Sequence, residues 1–508
     1  MKKTKSTFPG DLPFKLGKEI APELSTPLED IFKASTMSGQ YPSLWKQEIV
    51  TPVPKVNSPQ TVKDLRKITG TSEYSKLFEN FLLKWILEDI GPSIDPAQFG
   101  NQKGTGTDHL LICLIDRILT HLQPNIQGDP KAVLATFLDW SAAFDRQCPR
   151  LAIMKFIHLN LRPSLVTLLV SYLQNRKMVV KFRDAKSTEH DMPGGGPQGT
   201  LLGVIEYIVN SNDNTDCVDL SDRFKYVDDA TILEVLDLSG LLTEFNFRQQ
   251  VASDIAMDTY FLPTQNYVTQ TRIDTIAEWT DNNKMLLNGA KSNYMVFNRT
   301  HNYQFSNRLH LSDHLLEKID EIKLVGVWIT SNLSWERNTN ELCERAFARL
   351  SLITKLKYVG TTTEDLIEIF ILFVRSLLEY CCTVWHSSLT QEQSNTLERV
   401  QKVCLKVILG DNYVDYEAAL EMTGLENLEE RRKVLCLNFA KKCVKHPKHS
   451  KMFPKNDLNL NVPNNGHLHV LRDPELFYVN HCRTEGHRMS AIPYLQRLLN
   501  EDYFKNTK

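Results

Sequence analysis

The sequence of 508 residues lacks the features of a secreted or membrane-spanning protein. Its first ten residues contain lysines but no apolar segment of the kind that a secretory signal needs. No uncharged apolar run reaches membrane-spanning length, and the best candidate, residues 366–374, is short and contains Glu368. The ten cysteines follow no regular spacing, which is typical of reduced thiols. We therefore expect an intracellular protein of the nucleus or cytoplasm with no membrane partner.

The sequence also lacks a strong excess of charge of either sign. The formal net charge is −2, so net charge predicts no affinity for nucleic acids, and any positive surface has to be local. Hydrophobic residues make up 42% and charged residues 24%, which indicates a globular chain with a large core. The length predicts two to four subdomains. Helical and extended patterns occur without strict alternation, which favours an α+β fold over a doubly wound sheet.

Three aspartates lie where the pattern predicts rigid backbone. Residues 132–138 are an apolar run that predicts a buried strand ending next to Asp139. Asp228 and Asp229 lie within residues 224–235, whose two short apolar runs predict a hairpin with the acids at its tip. Carboxylates are preferred ligands of Mg²⁺, and two such ions can stabilise a nucleotidyl transfer. Taken alone, the YVDD pattern favours solvated turn residues over a metal site.

A glycine-rich segment, PGGGPQGTLLG, occupies residues 193–203. Glycines allow close approach of the backbone to a substrate, and Pro197 stiffens the turn. Gln198 is then available to contact a base or a sugar. An ordinary surface loop is the alternative, but the string Pro-Gln-Gly-Thr before an apolar helix is far more specific than a lone glycine motif.

The order FLDWSAAFD (137–145), PQGT (197–200) and YVDD (226–229) resembles the reverse transcriptase family. Within that family it is most similar to the polymerases of non-LTR, LINE-type, jockey-like retrotransposons. The segments 44–55, 64–79, 98–111, 283–297, 323–335, 375–385 and 397–410 also resemble family motifs, so the similarity runs from about residue 44 to 410. The resemblance implies an α+β right-hand polymerase with fingers, a palm of antiparallel sheet with flanking helices, and a helical thumb.

The resemblance also implies a division of the chain. The regions are an N-terminal extension (1–43), fingers (44–132), palm (133–300), grip and helical thumb (301–410) and a C-terminal basic helical region (411–508), with the reverse transcriptase domain covering about 44–330. LINE-type proteins often carry an upstream endonuclease. Only about 40 residues precede the fingers here. We therefore expect no endonuclease domain and a chain that is a fragment of a larger element or a degenerate copy.

The implied activity is RNA-directed DNA synthesis, with an RNA template, a DNA primer or target and dNTPs as partners. Two Mg²⁺ ions, with Mn²⁺ as an alternative, are the implied cofactors. Asp139 and Asp228 would bridge both ions, and Asp229 would assist. Lys291 matches the lysine that protonates or neutralises the pyrophosphate, since charge stabilisation dominates phosphoryl transfer.

The resemblance assigns five residues to the incoming dNTP. Lys55 and Arg66 would meet the triphosphate, although either could be a solvated surface charge. Phe144 occupies the sugar-gate position, where an aromatic ring would clash with a 2′-hydroxyl, although it could also be a core residue. Gln198 and Gly199 would position the nucleotide and the template. Phe144 and the Pro-Gln-Gly string disfavour an RNA-dependent RNA polymerase.

Three residues depart from the family pattern. Lys67 replaces the usual proline of the fingers motif, and Val204 replaces a proline after the glycine-rich segment. Glu206 enters a stretch that is usually apolar. These departures keep a second hypothesis open, in which the chain is a catalytically inactive relic that binds nucleic acid.

A basic segment follows the predicted thumb. Residues 431–451 contain eight Lys or Arg and no Asp or Glu, which suits a nucleic-acid backbone. The candidate contacts are Arg431, Arg432, Lys433, Lys441, Lys442 and Lys445. A solvated charged helix face is the alternative. Cys443, His446 and His449, with Cys482 as a distant fourth ligand, suggest zinc, but their spacing fits no closed Cys/His pattern.

Overall fold

The computed structural model describes residues 8, 10–123, 131–192, 194–214, 220–238, 268–299, 308–456 and 475–507. Over these ranges the chain mixes helices and sheets, which confirms the α+β class expected from the sequence. Among the described helices, none combines the length and the apolarity that crossing a lipid bilayer requires.

Seventeen α-helices are described, and nine of them lie at or after residue 336. They are α1 Phe14–Glu19, α2 Ala21–Ser38, α3 Glu73–Ile90, α4 Thr107–His121, α5 Pro149–His158, α6 Pro163–Leu173, α7 Leu201–Asn210, α8 Val268–Asn282, α9 Glu336–Tyr358, α10 Thr363–Ile369, α11 Ser376–Leu378, α12 Cys382–Trp385, α13 Gln391–Leu409, α14 Tyr416–Thr423, α15 Leu428–Val444, α16 Glu485–Arg488 and α17 Ala491–Thr507.

The strands fall mainly between residues 47 and 330. They are β1 Gln47–Pro54, β2 Leu65–Gly70, β3 Lys131–Leu138, β4 Lys177–Phe182, β5 Ala185–Lys186, β6 His190–Asp191, β7 Arg223–Tyr226, β8 Asp229–Asp237, β9 Asn293–Asn298, β10 His310–Leu311, β11 His314–Leu315, β12 Glu317–Lys318, β13 Glu321–Leu324 and β14 Val327–Thr330.

The sheet that carries the acids has the strand order β12-β9-β3-β8-β7. Its central strand, β3, is antiparallel to both neighbours, β8 and β9. Seven of the eight residues of β3 are buried, which explains why this strand reads as a continuous apolar run rather than as an alternating one. The predicted strand and the predicted hairpin, formed by β7 and β8, are both confirmed.

A second sheet pairs two distant parts of the chain. Strand β1 is antiparallel to β2 and parallel to β4, and β5 and β6 pair with β4. A hydrophobic core likewise combines residues 41–94 with residues 156–209. Packing therefore does not divide the chain at residue 132, and the boundary drawn there between fingers and palm stays a prediction.

The three- and four-residue spacing of the apolar residues 78, 81, 82, 85 and 86 predicts one apolar face for α3, and the structure confirms this face with one exception. Phe78, Leu82 and Ile86 are almost completely buried. Phe81 was placed on the same face, but 47% of its surface is exposed. Its ring is tilted by 53° against that of Phe32 of α2, with the two ring centroids 5.9 Å apart. The prediction for Phe81 was therefore wrong, because helical spacing alone does not fix how wide the covered face is.

The largest core joins the acid-bearing sheet to the C-terminal helices. It contains Leu111 of α4 and Phe297 of β9 together with Trp385, Leu428 and Leu495 from the last third of the chain. Helix α4 therefore lies between the sheet and the helices of the C-terminal region. Because these parts share one core, the C-terminal region cannot move independently of the sheet without exposing apolar surface.

Candidate functional site

The three aspartates leave the central sheet at the same end. The β3–β8 register pairs Leu138 with Ala230, so Asp139 and Asp229 are each the next residue toward that end. Tyr226 pairs with Asp229 across the β7–β8 hairpin, which leaves Val227 and Asp228 to form the turn. The structure thus confirms the predicted backbone arrangement, in which Asp139 follows a strand and Asp228 and Asp229 lie at the tip of a hairpin.

Burial and mutual repulsion act on these acids. The side chain of Asp228 reaches solvent at the turn, yet desolvation by the surrounding protein raises its pKa. Desolvation, and then the charges of Asp228 and Asp139, raise the pKa of Asp229 to about 6. The pKa of the buried Tyr207 hydroxyl is raised first by burial and then by the same three carboxylates. The three acids and Tyr207 therefore share one electrostatic environment.

The three aspartates lie at the same end of the sheet, but they do not form a complete metal-binding site. In the described part of the chain, no three His, Cys, Asp or Glu side chains are arranged so that they could enclose a metal ion. This holds both for the three aspartates and for the cysteine and histidine residues of the predicted zinc site. The ligand assignments made from the sequence for Asp139, Asp228 and Asp229 therefore stay predictions.

Asp139 is held by a loop that precedes β9. The side-chain amide of Asn288 donates to Asp139 Oδ2 at 3.2 Å, and the Asn288 backbone N–H donates to the Asp139 carbonyl at 2.8 Å. The Asp139 backbone N–H donates to Ser292 Oγ at 3.1 Å. Lys291, exposed on the same loop, was the residue selected from the sequence. Asn288 and Ser292 were missed, although Asn288 lies in the same motif.

The glycine-rich segment is bonded to the residues that follow Asp139. The backbone N–H of Gly196 donates to the Phe144 carbonyl at 2.7 Å, and that of Gly195 donates to the Gln147 carbonyl at 2.9 Å. The half-buried ring of Phe144 stacks on Tyr207 of α7, with centroids 5.0 Å apart and an angle of 26° between the planes. Phe144 is therefore held from one side by α7, which fixes its orientation near the acids.

Gln198 and Lys67 meet on one carboxylate. Lys67 Nζ lies 2.9 Å from Asp145 Oδ1, and Gln198 Nε2 donates to the same oxygen at 3.2 Å. Gly199 has a positive φ of 74°, and a Cβ added to it would lie 2.8 Å from the Thr69 carbonyl oxygen. Only glycine fits this close contact between the loop and strand β2. Lys67, which departs from the family pattern, thus forms part of the site.

The two remaining cations of the predicted dNTP site lie on the β1–β2 hairpin. Arg66 is an exposed residue of β2 paired with Val53 of β1. Lys55 follows the end of β1, and its backbone N–H donates to the Asp64 carbonyl at 2.7 Å. The structure therefore places both cations on the hairpin that also carries Lys67, and their assignment to the triphosphate stays a prediction.

The basic segment does not form one continuous cationic surface. Arg432 is fully buried in α15, and its guanidinium donates to His386 Nδ1 and Ser394 Oγ. Its assignment to nucleic acid was wrong, because the side chain faces the core.

The other candidates of the basic segment differ in their surroundings. Arg431 is paired with Glu379 at 3.1 Å, and Lys441 is paired with Asp502 at 2.7 Å. Lys433 is half-buried, whereas Lys442 and Lys445 are exposed. Exposed cations therefore remain at Lys442 and Lys445, and their role in binding nucleic acid stays a prediction.

The zinc interpretation is not supported by the described residues. Cys443 Sγ lies 3.5 Å from His109 Nε2, His446 Nε2 donates to the Lys103 carbonyl at 3.0 Å, and His449 Nε2 lies 2.8 Å from Thr105 Oγ1. Each group therefore already has a protein partner. Burial raises the pKa of the Cys443 thiol to about 12, and Cys482 instead contacts the Asn480 carbonyl.

Glu206 lies on the buried face of α7. Only 2% of its surface is exposed, and among the described residues neither carboxyl oxygen has a hydrogen-bond partner. Burial raises the pKa of Glu206 to about 8, so the group is largely protonated at neutral pH. The neutral carboxyl lets α7 pack behind the acids despite the departure from an apolar residue.

Comparison with known sequences identifies relatives for this arrangement, although no family model matches the sequence. A probable RNA-directed DNA polymerase from transposon X-element of Drosophila melanogaster is 31% identical over 186 residues, covering 36% of this chain and 20% of the relative. The RNA-directed DNA polymerase from mobile element jockey of the same species is 23% identical over 324 residues, covering 62% and 32%.

This chain is similar to the RNA-directed DNA polymerases of Drosophila mobile elements. A third such relative, from transposon BS, is 24% identical over 316 residues, or 61% of this chain and 32% of the relative. The family resemblance predicted from the motif order is therefore confirmed. The chain spans only 20–32% of the length of these three relatives.

Among solved structures, apo telomerase from Candida tropicalis aligns with a TM-score of 0.39 and 11% identity. The alignment covers 84% of this chain and 68% of the telomerase chain. Telomerase from the same organism in complex with a fragment of telomeric RNA aligns with a TM-score of 0.38 and 12% identity, covering 84% and 62%. At these scores the likeness supports no further inference about this chain.

Proposed function

We propose that this chain is an RNA-directed DNA polymerase that extends a primer 3′-hydroxyl with dNTPs on an RNA template. The observation that carries the proposal is the placement of Asp139 at the end of β3, beside Asp228 and Asp229 of the β7–β8 hairpin. The Gln198 loop is bonded to the same region. In the right-hand description, residues 44–132 would be fingers, 133–300 palm and 301–410 grip and thumb.

The carboxylates fit a divalent cation by their chemistry. Asp139, Asp228 and Asp229 offer hard oxygen ligands. Desolvation and then mutual repulsion raise the pKa values of Asp228 and Asp229, and a bound cation would offset both effects. Two Mg²⁺ ions, when bound, would supply charge stabilisation for the attacking 3′-oxygen and the leaving pyrophosphate.

The protein side chains would position the nucleotide around these acids. Phe144, fixed against Tyr207, would exclude a 2′-hydroxyl from the sugar. Gln198 and Lys67, which share Asp145, lie where β2 meets the glycine-rich loop and would face the base and the triphosphate. Positioning of the reactants is, together with charge stabilisation, what a protein contributes to phosphoryl transfer.

Three further cations and the template complete the proposal. Arg66 and Lys55 would approach the triphosphate from the β1–β2 hairpin. Lys291 would neutralise or protonate the pyrophosphate, because the loop that bears it also holds Asp139. Lys442 and Lys445 would contact the nucleic-acid backbone from the C-terminal region.

The decisive measurement is incorporation of labelled dNTPs into a DNA primer annealed to an RNA template, with and without Mg²⁺. We expect Mg²⁺-dependent extension by the full chain and none above background by Asp228→Asn, which keeps the side-chain size but removes a ligand charge. Asp184→Asn, at the exposed turn between β4 and β5, is the matched control. Extension that is equal in the wild type and in Asp228→Asn would contradict the proposal.

The unpartnered Glu206 favours one second candidate, a chain that binds nucleic acid without copying it. The same primer–template separates the two functions. Binding that is measured by fluorescence anisotropy in the absence of any extension would support the inactive relic. Extension that depends on Asp228 excludes it.

A further inference from the structure

Residues 95–99 form a support for the strand that precedes the catalytic turn. Gln98 and Lys225 form a parallel bridge, in which the Lys225 N–H donates to the Ala97 carbonyl and the Phe99 N–H donates to the Lys225 carbonyl, at 2.9 and 2.8 Å. Asp95 pairs with Arg223 at 2.9 Å and with Lys225 at 2.8 Å. All three of these charged side chains are at most 8% exposed, so the support is a buried, charge-paired contact.

Gln98 reaches the turn itself. Its side-chain oxygen accepts hydrogen bonds from the backbone N–H of Val227 at 3.0 Å and from that of Gly100 at 2.9 Å. Gln98 is only 2% exposed, so water does not compete for these bonds. Residues that are 129 positions apart in the chain are thereby joined directly beside Asp228.

The turn needs such external support. Val227 has a φ of +59°, a left-handed conformation that is unfavourable for a β-branched residue and persists only where surrounding contacts enforce it. A Cβ on Gly100 would lie 2.7 Å from the Val227 nitrogen, so the support follows the turn closely. The Gln98 side chain and the Gly100 backbone thus enclose the turn from the side of α4.

The C-terminal region fastens this support. Lys448 Nζ donates to the Gln98 carbonyl at 2.9 Å and lies 4.1 Å from the centroid of the Phe99 ring. On either side of Lys448, His446 contacts Lys103 and His449 contacts Thr105. Residues 446–449 therefore dock on the segment that supports the turn, through one ammonium and two imidazoles.

We propose that Gln98 is a positioning residue for the Asp228–Asp229 turn and that Lys448 fastens Gln98 in place. The C-terminal region is then a structural part of the active site. The expected effect on kcat rests on the proposed polymerase function. The expected effect on metal binding by the turn is independent of that function. Lys448 acts in this relay through the backbone of Gln98, not through contact with a template.

The test compares four single variants of the full chain, the double variant Gln98→Met/Lys448→Met and Asp228→Asn as a reference. Gln98→Met removes the accepting oxygen at similar size, and Gln98→Glu restores an acceptor. Lys448→Met removes the ammonium and keeps the aliphatic stem, and Lys505→Met, on the exposed surface of α17, is the matched control. Thermal unfolding of every variant shows whether it is folded. Mn²⁺ affinity is measured by calorimetry, with Asp228→Asn defining the binding that belongs to the acids.

We expect Gln98→Met to weaken Mn²⁺ binding and to lower kcat by roughly tenfold, with the KM for dNTP changed by less than about twofold. Lys448→Met should act in the same direction by roughly threefold, and the double variant should resemble Gln98→Met, because both act through one contact. Gln98→Glu restores the acceptor but adds a buried negative charge beside the acids, so it should recover only part of the loss, and Lys505→Met should behave as the wild type.

Two results would overturn the proposal. One is Mn²⁺ affinity and kcat that stay at the wild-type level in folded Gln98→Met or Lys448→Met. The other is a loss in Lys448→Met confined to the KM for primer–template, which would make Lys448 a nucleic-acid contact. A wild type that binds Mn²⁺ but extends no primer would count against the polymerase function alone, because the Mn²⁺ comparison between variants would still decide the positioning role.

Discussion

The ammonium of Lys67 lies 2.9 Å from the carboxylate of Asp145, and this ion pair joins strand β2 to the segment that follows Asp139. The two side chains are 50% and 38% exposed, so the pair itself contributes little to stability. The position of the ion pair matters more than its energy, because Gln198 donates to the same carboxylate oxygen and is thereby held beside Lys67. The residue that departs from the family pattern is thus a cation at the junction of the predicted fingers and palm.

Substitution of Lys67 by methionine should raise the KM for dNTP several-fold while changing the melting temperature little. The physical reason is loss of a cation near the expected triphosphate without loss of a buried contact. Steady-state kinetics at saturating primer–template measures the effect, and Lys505→Met is the control. An unchanged KM would show that Lys67 serves only to pair with Asp145.

Replacement of Asn288 by alanine should lower kcat by roughly tenfold, because the side-chain amide that orients Asp139 Oδ2 is lost. Asn288→Asp should be more damaging, since it places a second negative charge beside Asp139. Primer extension at saturating dNTP measures both, with Asn506→Ala of the exposed end of α17 as control. Full activity of Asn288→Ala would mean that the backbone bonds of this loop suffice to hold Asp139.

Phe144→Ala should reduce discrimination against ribonucleotides. Removal of the ring that stacks on Tyr207 opens space for a 2′-hydroxyl, and a steric gate of this kind is worth roughly 10- to 100-fold in relative kcat/KM. Parallel measurement of kcat/KM for a dNTP and the matching rNTP gives the ratio directly. If both substrates lose activity equally, Phe144 is a packing residue and not a sugar gate.

Glu206→Gln should stabilise the protein increasingly as the pH rises. The folded pKa of about 8 lies above the usual value of 4.5, so the folded state retains a proton that the unfolded chain releases. Stability from this group is therefore fully present below pH 4.5 and is lost as the pH rises toward 8. The loss at pH 7 is on the order of 3 kcal/mol.

Calorimetric melting at pH 5, 6, 7 and 8 tests this dependence. The difference in melting temperature between Glu206→Gln and the wild type should grow with pH. Glu317→Gln, at an exposed position of β12, should show no such trend. A difference that is the same at every pH would indicate that packing, rather than ionisation, dominates at this site.

Much of the fold could be predicted because its signals are local. The apolar run of β3, the paired runs of the β7–β8 hairpin and the break at Pro163 between α5 and α6 are each readable within a short window. Phe81 shows the limit of such signals, because its helical spacing matches the core face while its side chain remains exposed. The parallel pairing of β1 with β4 could not be predicted either, because strand pairing depends on residues that are distant in the chain.

The sequence by itself determined the family resemblance, and it predicted the kind of site, because the three aspartates, Gln198 and Lys291 stand out by order and residue type alone. Only the tertiary structure decided what holds them. Asn288 reaches Asp139 across 149 residues, and Lys448 reaches Gln98 across 350. The folded core also turned Arg432 inward, although its charge predicted a surface role. Local patterns encode strands and helices. Contacts between residues that are distant in the chain depend instead on which faces of these elements pack together, and a single sequence does not specify that packing.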